Sequence, residues 1–337
     1  MITPRRLLTI LSLLTIALLL LMGGALLVGS AHLSPGAIVK VLTGTQTVGP
    51  EVSVILGLRL PRILVAALAG GGLAVAGAAF QALTRNPLAD PSVLGVSSGA
   101  AFGVVLAQLF GFGLAPLQAL GLTTFAFFGA LLAAGLVVLI AQSNGRLPIQ
   151  TLLLAGVIVG LFFSAAITLL ISLVDVNRLG GVIHWLLGNL GALSPGSLAL
   201  FAALVGIGTV LVLTQARQLN LLALGEESAL QLGVEAERVK RTIFIGASLL
   251  TAVVVTFTGP IGFVGLIVPH TIRLLFGSDH RLLIPASLLA GAAFLLLADT
   301  LARTLVAPNE MAVGVITAFS GAPFFVYLLR TRYRSLP

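Results

Sequence analysis

Ten long uncharged runs dominate this sequence and limit what it can fold into. A membrane-spanning helix needs about 20 predominantly apolar residues, and only 8% of the residues in this chain are charged. The sequence therefore predicts an all-α, polytopic membrane protein with about ten transmembrane helices, organised as one transmembrane domain over residues 1–337. The predicted spans are 7–28, 61–83, 92–111, 117–141, 150–172, 195–215, 242–258, 262–276, 282–301 and 312–329.

The basic residues predict how the spans are oriented. The first run, Leu7 to Val28, follows two arginines but is longer than the roughly 7–15 residues of a signal-peptide core, so we predict a span rather than a signal. With the N-terminus in the cytoplasm, an even number of spans returns the C-terminus there, and basic residues concentrate on the inner side as the positive-inside rule requires. The inner ones are Arg5, Arg6, Arg85, Arg146, Arg217, Arg238, Lys240, Arg241, Arg273, Arg281, Arg330, Arg332 and Arg334, and the outer ones are Lys40, Arg59, Arg62, Arg178 and Arg303.

The net charge of +8 is dispersed among loop ends rather than clustered on one face. It therefore predicts contact with membrane lipid and no nucleic-acid partner. The chain has no cysteine, which excludes disulfides and thiolate metal sites. Neither of its two lysines, Lys40 and Lys240, stands in a G-x-x-x-x-G-K-[ST] loop. We predict no catalytic residues, no metal site and no cofactor bound by this chain.

The positions of the carboxylates along the chain indicate which source of energy the protein can use. All ten lie in predicted loops or within about a turn of a predicted span end. An ion-coupled carrier usually keeps an ionisable residue in the middle of the membrane, and an intramembrane enzyme needs facing catalytic groups. Neither pattern is present, so the sequence favours a permease moved by a separate ATPase over these two alternatives.

A short helix is predicted in the main inner loop, which runs from 215 to 241. Gly225 precedes two acids, Glu226 and Glu227, which suit the positive end of a helix dipole, and Gly233 ends the segment. Such a two-turn helix is about 10 Å long and is unstable unless something packs against it. It is either a capped surface turn or a docking knob for a cytoplasmic partner, with apolar contacts from Leu224, Leu230 and Leu232.

Prolines and glycines predict breaks in the helices. The turn 85–91, RNPLADP, separates the second and third spans. Gly259-Pro260 and Pro269-His270 are each predicted to interrupt a hydrophobic run, and non-helical backbone at membrane depth is tolerated only against protein or a water-filled cavity. On the outer side, 30–58 carries turn residues around a short apolar stretch, Ala37 to Leu42, and is predicted to pack over the outer surface, while 176–193 is predicted to hold an interfacial helix.

Several continuous motifs resemble one family. They are RLPR (59–62), NPLADP (86–91), LGVSSGA (94–100), GPIGFVGLIVPHTIR (259–273) and GVITAFSGAPFFVYLLR (314–330). In this order they resemble the permease subunits of bacterial ABC importers for iron–siderophore complexes, haem and vitamin B12, and the resemblance covers most of the chain. It implies the fold of the B12-importer permease and a homodimer with the pathway along its two-fold axis. It also implies two cytoplasmic ATPase subunits that bind ATP and Mg²⁺, one periplasmic or lipid-anchored binding protein, and location in the bacterial inner membrane.

The resemblance also implies roles for particular residues. The segment with Leu224, Gly225, Glu226, Glu227 and Leu230 corresponds to the coupling helix that contacts the ATPase. The cytoplasmic gate corresponds to two constrictions, with capping of a turn as the alternative role of Asn86. The first constriction is Asn86 and Leu88, and the second is Ile149 and Gln150, where the B12 relative has small hydroxyl residues.

On the outer face, Arg59, Arg62 and Arg303 match arginines that receive glutamates of the binding protein. Contact with lipid phosphate is the alternative for these three residues. The resemblance favours an iron chelate as cargo, with cobalamin as the alternative, and nothing in the sequence fixes the choice. The two halves of the chain suggest an inverted repeat, as in many transporters.

Overall fold

The computed structural model describes residues 3–29, 33–110, 115–173, 179–306 and 309–333. Within these ranges the chain is helical and contains no strand. Arg178 and Arg334, which were assigned to the outer and inner sides, and Asp175, one of the ten carboxylates, lie outside the described residues. The helices are α1 (Pro4–Leu27), α2 (Pro35–Leu42), α3 (Pro50–Val52), α4 (Leu60–Thr84), α5 (Val96–Phe110), α6 (Ala115–Ala141), α7 (Ile149–Ser172), α8 (Leu179–Leu186), α9 (Pro195–Thr214), α10 (Ala216–Leu222), α11 (Glu226–Gln231), α12 (Ala236–Thr258), α13 (Val264–Phe276), α14 (His280–Thr304) and α15 (Val313–Tyr333).

The prediction of about ten membrane-spanning helices is confirmed. Among the described residues, seven helical segments are long and apolar enough to cross a membrane, and three shorter apolar helices bring the number to ten. The shorter ones are Val96–Leu109, Val264–Phe276 and Val313–Val326. Each of the ten coincides with one predicted span, so the uncharged runs were sufficient to locate them.

The second span begins earlier than the sequence predicts. Helical structure starts at Pro50 and continues through a π-helical segment, Ser53–Arg59, into α4, so the end of the predicted outer segment, 50–58, is helical. Pro61 lacks a backbone N–H and would break a regular helix. The wider π turn just before it carries the chain past that residue, and the N–H of Leu60 donates to the carbonyl of Ile55.

Helix α4 is the centre of the molecule. It packs against α14, α12, α13 and α9, and the apolar part of the segment Pro50–Thr84, to which it belongs, is 83% buried, against 17% for α1. Two glycines let neighbouring backbones approach closely. A Cβ on Gly70 would overlap the carbonyl of Gly291 in α14, and one on Gly77 would overlap the carbonyl of Gly265 in α13.

One of the two predicted breaks in the later spans is correct. Helix α12 ends at Thr258, and Gly259 has a positive φ of 69°. The prediction at Pro269 is wrong, because α13 runs through it unbroken. Pro269 cannot donate to the carbonyl of Gly265, and the Gln81 side chain of α4 supplies that bond instead, with Nε2 3.2 Å from the Gly265 oxygen.

Candidate coupling, gate and docking sites

The short inner helix exists where the sequence predicts it. Helix α11 spans six residues, Glu226–Gln231, after Gly225, whose φ of 120° suits only glycine. Ala229 is buried against the protein, while Leu224, Leu230 and Leu232 are exposed. The helix is therefore fastened on one side and presents leucines on the other.

A groove of about 740 Å³ runs beside this helix. Glu226, Glu227 and Leu230 form one wall, and residues at the beginning of α12, including Arg238 and Arg241, form the other. Three of the five residues predicted for coupling therefore line one surface depression on the face that the sequence predicts to be cytoplasmic.

Glu226 has contacts inside the protein that the sequence did not reveal. Its Oε2 accepts a hydrogen bond from Lys240 Nζ at 3.0 Å, and its Oε1 lies 3.8 Å from Arg85 Nη2. Lys240 also donates to Glu237 Oε1 at 2.9 Å. The bond from Lys240 to Glu226 joins two separate helices and was not predicted, whereas Glu237 lies three residues before Lys240 on the same helix.

The first predicted gate segment, the loop 85–91, follows α4. Arg85 ends that helix in the left-handed conformation, with φ 51° and ψ 28°. Asn86 Oδ1 then accepts a hydrogen bond from the backbone N–H of Leu88 at 3.0 Å, which is the turn-capping geometry considered as the alternative role for Asn86. The side chain of Asn86 is exposed and that of Leu88 is partly buried. Capping and gating are compatible, and gating stays a prediction.

The second predicted gate segment, 147–151, includes the first residues of α7, which begins at Ile149. The loop before it is held by α12: the N–H of Leu147 donates to Glu237 Oε2 at 2.7 Å, and Arg241 donates to the carbonyl of Gly145. Ile149 is half-buried and Gln150 is exposed. Their gate role also stays a prediction.

The gate and coupling residues meet at one point. A small void of about 10 Å³ is lined by Arg85, Ile149, Glu226 and Lys240, together with apolar residues of α4, α10 and α12. Arg85 from the first gate segment, Ile149 from the second and the coupling residue Glu226 therefore lie together in one place.

The three arginines predicted for docking belong to different segments of the structure. Two of them, Arg62 and Arg303, form an ion cluster with Asp299. Arg62 donates two hydrogen bonds to Asp299 Oδ1, at 3.1 and 3.0 Å, and contacts Glu310 at 2.7 Å. Arg303 Nε donates to Asp299 Oδ2 at 3.1 Å. Asp299 is fully buried and lies five residues before the end of α14. Helix α14 continues to Thr304, beyond the predicted span end at 301, so Asp299 lies about a turn and a half from the end of the helix.

Arg59 and Arg303 also hold the end of α1. Arg59 Nη1 donates to the carbonyl of Leu26 at 2.5 Å, and Arg303 Nη1 lies 3.5 Å from the carbonyl of Val28. Cations are favourable at a helix C-terminus, where carbonyl groups lack intrahelical partners. Both side chains are buried and Arg62 is largely buried. Their bonds within the chain were not predicted, and docking of a binding protein stays a prediction.

Comparison with known proteins agrees with this architecture. The sequence profile of the FecCD transport family matches residues 13–331. The chain belongs to the FecCD transport family. This FecCD permease is 46% identical over 286 residues to the cobalamin import system permease protein BtuC of Halobacterium salinarum, covering 84% of the chain and 75% of the relative. It is 43% identical over 274 residues to the hemin transport system permease protein HmuU of Yersinia pestis, covering 81% and 82%.

A solved structure shares the whole fold. It is a transporter assigned to the metal-chelate type of ABC transporters, in an inward-facing conformation, and it is 34% identical to this FecCD permease with a TM-score of 0.82. The match covers 96% of this chain and 99% of the other. The protein is therefore a multi-pass membrane permease of an ABC transporter, with the architecture of the BtuC type.

Proposed function

We propose that this FecCD permease is the membrane-spanning subunit of an ATP-driven importer that moves an iron chelate, either a siderophore complex or haem, across the bacterial inner membrane. It receives the cargo from a periplasmic or lipid-anchored binding protein. It acts as a homodimer with both termini in the cytoplasm, and two cytoplasmic ATPase subunits bind ATP and Mg²⁺. The permease itself has no catalytic role.

The exposed face of α11 carries this proposal. Leu224 and Leu230 are 68% and 67% exposed, although they lie outside the candidate membrane spans. Exposed apolar side chains next to a groove are typical of a protein-binding surface, and a six-residue helix gains stability from a partner that packs against it. A cytoplasmic ATPase that binds this face would deliver force to the membrane domain.

The cargo is inferred from the compounds for which similar proteins are named. The Yersinia relative is named for hemin transport, which supports an iron chelate, and the similar solved structure is named for metal chelates, which fits either cargo. The Halobacterium relative, which is 46% identical, is named for cobalamin import, and cobalamin is therefore the second candidate. Both are bulky chelates, which suits a transport mechanism without a charged site in the middle of the membrane.

Uptake by the reconstituted complex tests the proposal. The permease, its ATPase and its binding protein are placed in vesicles with ATP, and accumulation of labelled ferric siderophores, haem and cobalamin is measured. We expect ATP-dependent uptake of at least one iron chelate, and none when the binding protein is omitted. Uptake of cobalamin alone would select the second candidate, and failure to move any of these compounds would contradict the proposal.

A further inference from the structure

The first turns of α12 connect the coupling helix to both gate segments. Lys240 is 7% exposed and holds two carboxylates at once, Glu226 on α11 at 3.0 Å and Glu237 on its own helix at 2.9 Å. One buried cation therefore joins α11 to α12. Charge-assisted hydrogen bonds are stronger than neutral ones, and the buried end of this connection is the cation, since Glu226 is 44% exposed and Glu237 33%.

The second oxygen of each carboxylate reaches a gate segment. Glu237 Oε2 accepts from the N–H of Leu147, the first residue of the second gate segment, at 2.7 Å. Glu226 Oε1 faces Arg85, next to Asn86 of the first gate segment, at 3.8 Å. The Glu226–Arg85 pair is exposed on both sides and long, so it is weak and easily broken. The contacts of Lys240 are shorter, and their cation is buried.

Packing around these groups leaves little room for independent motion. The void between Arg85, Ile149, Glu226 and Lys240 measures only about 10 Å³, which is hardly enough for one water molecule. Closely packed interiors transmit displacement rather than absorb it. A push on α11 therefore moves α12 and the loop before α7 together, while the exposed bond from Glu226 to Arg85 breaks or re-forms.

We propose that Lys240 is the transmission residue of this permease: it makes α11 and the gate segments respond together when a partner presses on α11. This inference rests on the proposed function, because it requires an ATPase that acts through α11. Lys240 does not contact cargo or nucleotide. It is a positioning residue, and its loss separates ATP hydrolysis from movement of the gate.

The test compares transport with hydrolysis in the same vesicles. Lys240→Met keeps the apolar stem and removes the charge, while Arg217→Met removes an exposed cation from α10 and is the matched control. We expect Lys240→Met to reduce cargo moved per ATP by about tenfold, the size of a typical coupling between two sites. Arg217→Met should stay within about twofold of the wild type, as surface substitutions usually do.

A second measurement separates transmission from simple stabilisation. In the wild type, the yield of crosslinks at Asn86→Cys should change when ATP is added. In Lys240→Met the yield should keep its resting value although the ATPase still binds and hydrolyses. Glu226→Gln, which keeps the shape of the side chain, should reduce the same ratio of cargo to ATP, and Lys240→Met with Glu226→Gln should be no worse than the more severe single variant.

The outcomes are distinguishable. Equal cargo per ATP in Glu226→Gln and the wild type would overturn the inference, and this comparison does not require Lys240→Met to fold. Lys240→Arg should keep a higher ratio of cargo to ATP than Lys240→Met, because arginine keeps the buried cation, and this result would support the inference. If the wild-type complex itself shows no ATP-driven uptake, the proposed function fails instead.

Discussion

Arg62 and Asp299 stand 237 positions apart in the chain, yet two guanidinium nitrogens of Arg62 lie 3.1 and 3.0 Å from one oxygen of Asp299. The bonds join the first turn of α4 to the last turns of α14. Arg303 occupies the other oxygen of Asp299. One buried carboxylate thus pairs with two arginines, Glu310 supplies the second negative charge, and this arrangement holds the central helix against α14.

Removal of that carboxylate should destabilise the protein strongly. Asp299→Asn leaves two poorly hydrated guanidinium groups without their shared anion, and breaking a buried ion pair by removing one partner costs about 3–5 kcal/mol. Glu310→Gln is the control, because Glu310 contacts the same Arg62 but is 50% exposed, and exposed pairs contribute about 0–1 kcal/mol. Thermal unfolding in detergent measures both. Equal melting of Asp299→Asn and the wild type would contradict the role of this cluster.

The outer arginines are expected to affect both binding and stability. Charge reversal at Arg59 and Arg303 is the docking test that the sequence suggests. In the structure, however, a carboxylate in place of the Arg303 guanidinium would face Asp299, and the end of α1 would lose its cations. Double Gln and double Lys variants at these positions separate the two effects. If the charges receive a binding protein, the Gln pair should raise the Kd at low salt and the Lys pair should preserve it. Equal affinity of both folded variants would argue against docking here.

The sequence predicts the helices of this structure better than it predicts the contacts between them. The spans and α11 follow from local patterns: uncharged runs of sufficient length, and Gly225 before two acids. The bonds between Lys240 and Glu226, or between Arg62 and Asp299, join separate segments, and no local pattern encodes such pairings. Pro269 shows the same limit, because the residue that keeps α13 continuous is Gln81, on another helix.

Docking on α11 can be tested without disturbing its internal bonds. Glu227 and Leu230 are exposed and line the groove, whereas Glu226 also holds Lys240 and Arg85. We therefore expect Glu227→Ala with Leu230→Ser to weaken binding of the ATPase while thermal stability stays within about 0.5 kcal/mol of the wild type, as for surface changes. Pull-down of the ATPase and melting of the permease measure the two quantities. Undiminished binding by this double variant would assign the ATPase to another surface.

The gate prediction can be tested by crosslinking, since the chain has no native cysteine. Asn86→Cys and Gln150→Cys place thiols at exposed positions of the two gate segments. Crosslinks between two copies of the permease should form at rest and block uptake, and reduction should restore it. Asn86→Ala is the control for loss of the turn hydrogen bond to Leu88. Crosslinks that leave uptake unchanged would limit Asn86 to its turn-capping role.

The central claim is that this permease is moved by a separate ATPase rather than by an ion gradient. The most direct measurement is uptake of an iron chelate into vesicles that contain the permease alone or the permease with its ATPase, each with binding protein, with and without ATP and with and without a proton gradient. The account predicts uptake only when the ATPase and ATP are both present, whatever the gradient. Uptake by the permease alone, driven by the gradient without ATP, would contradict it.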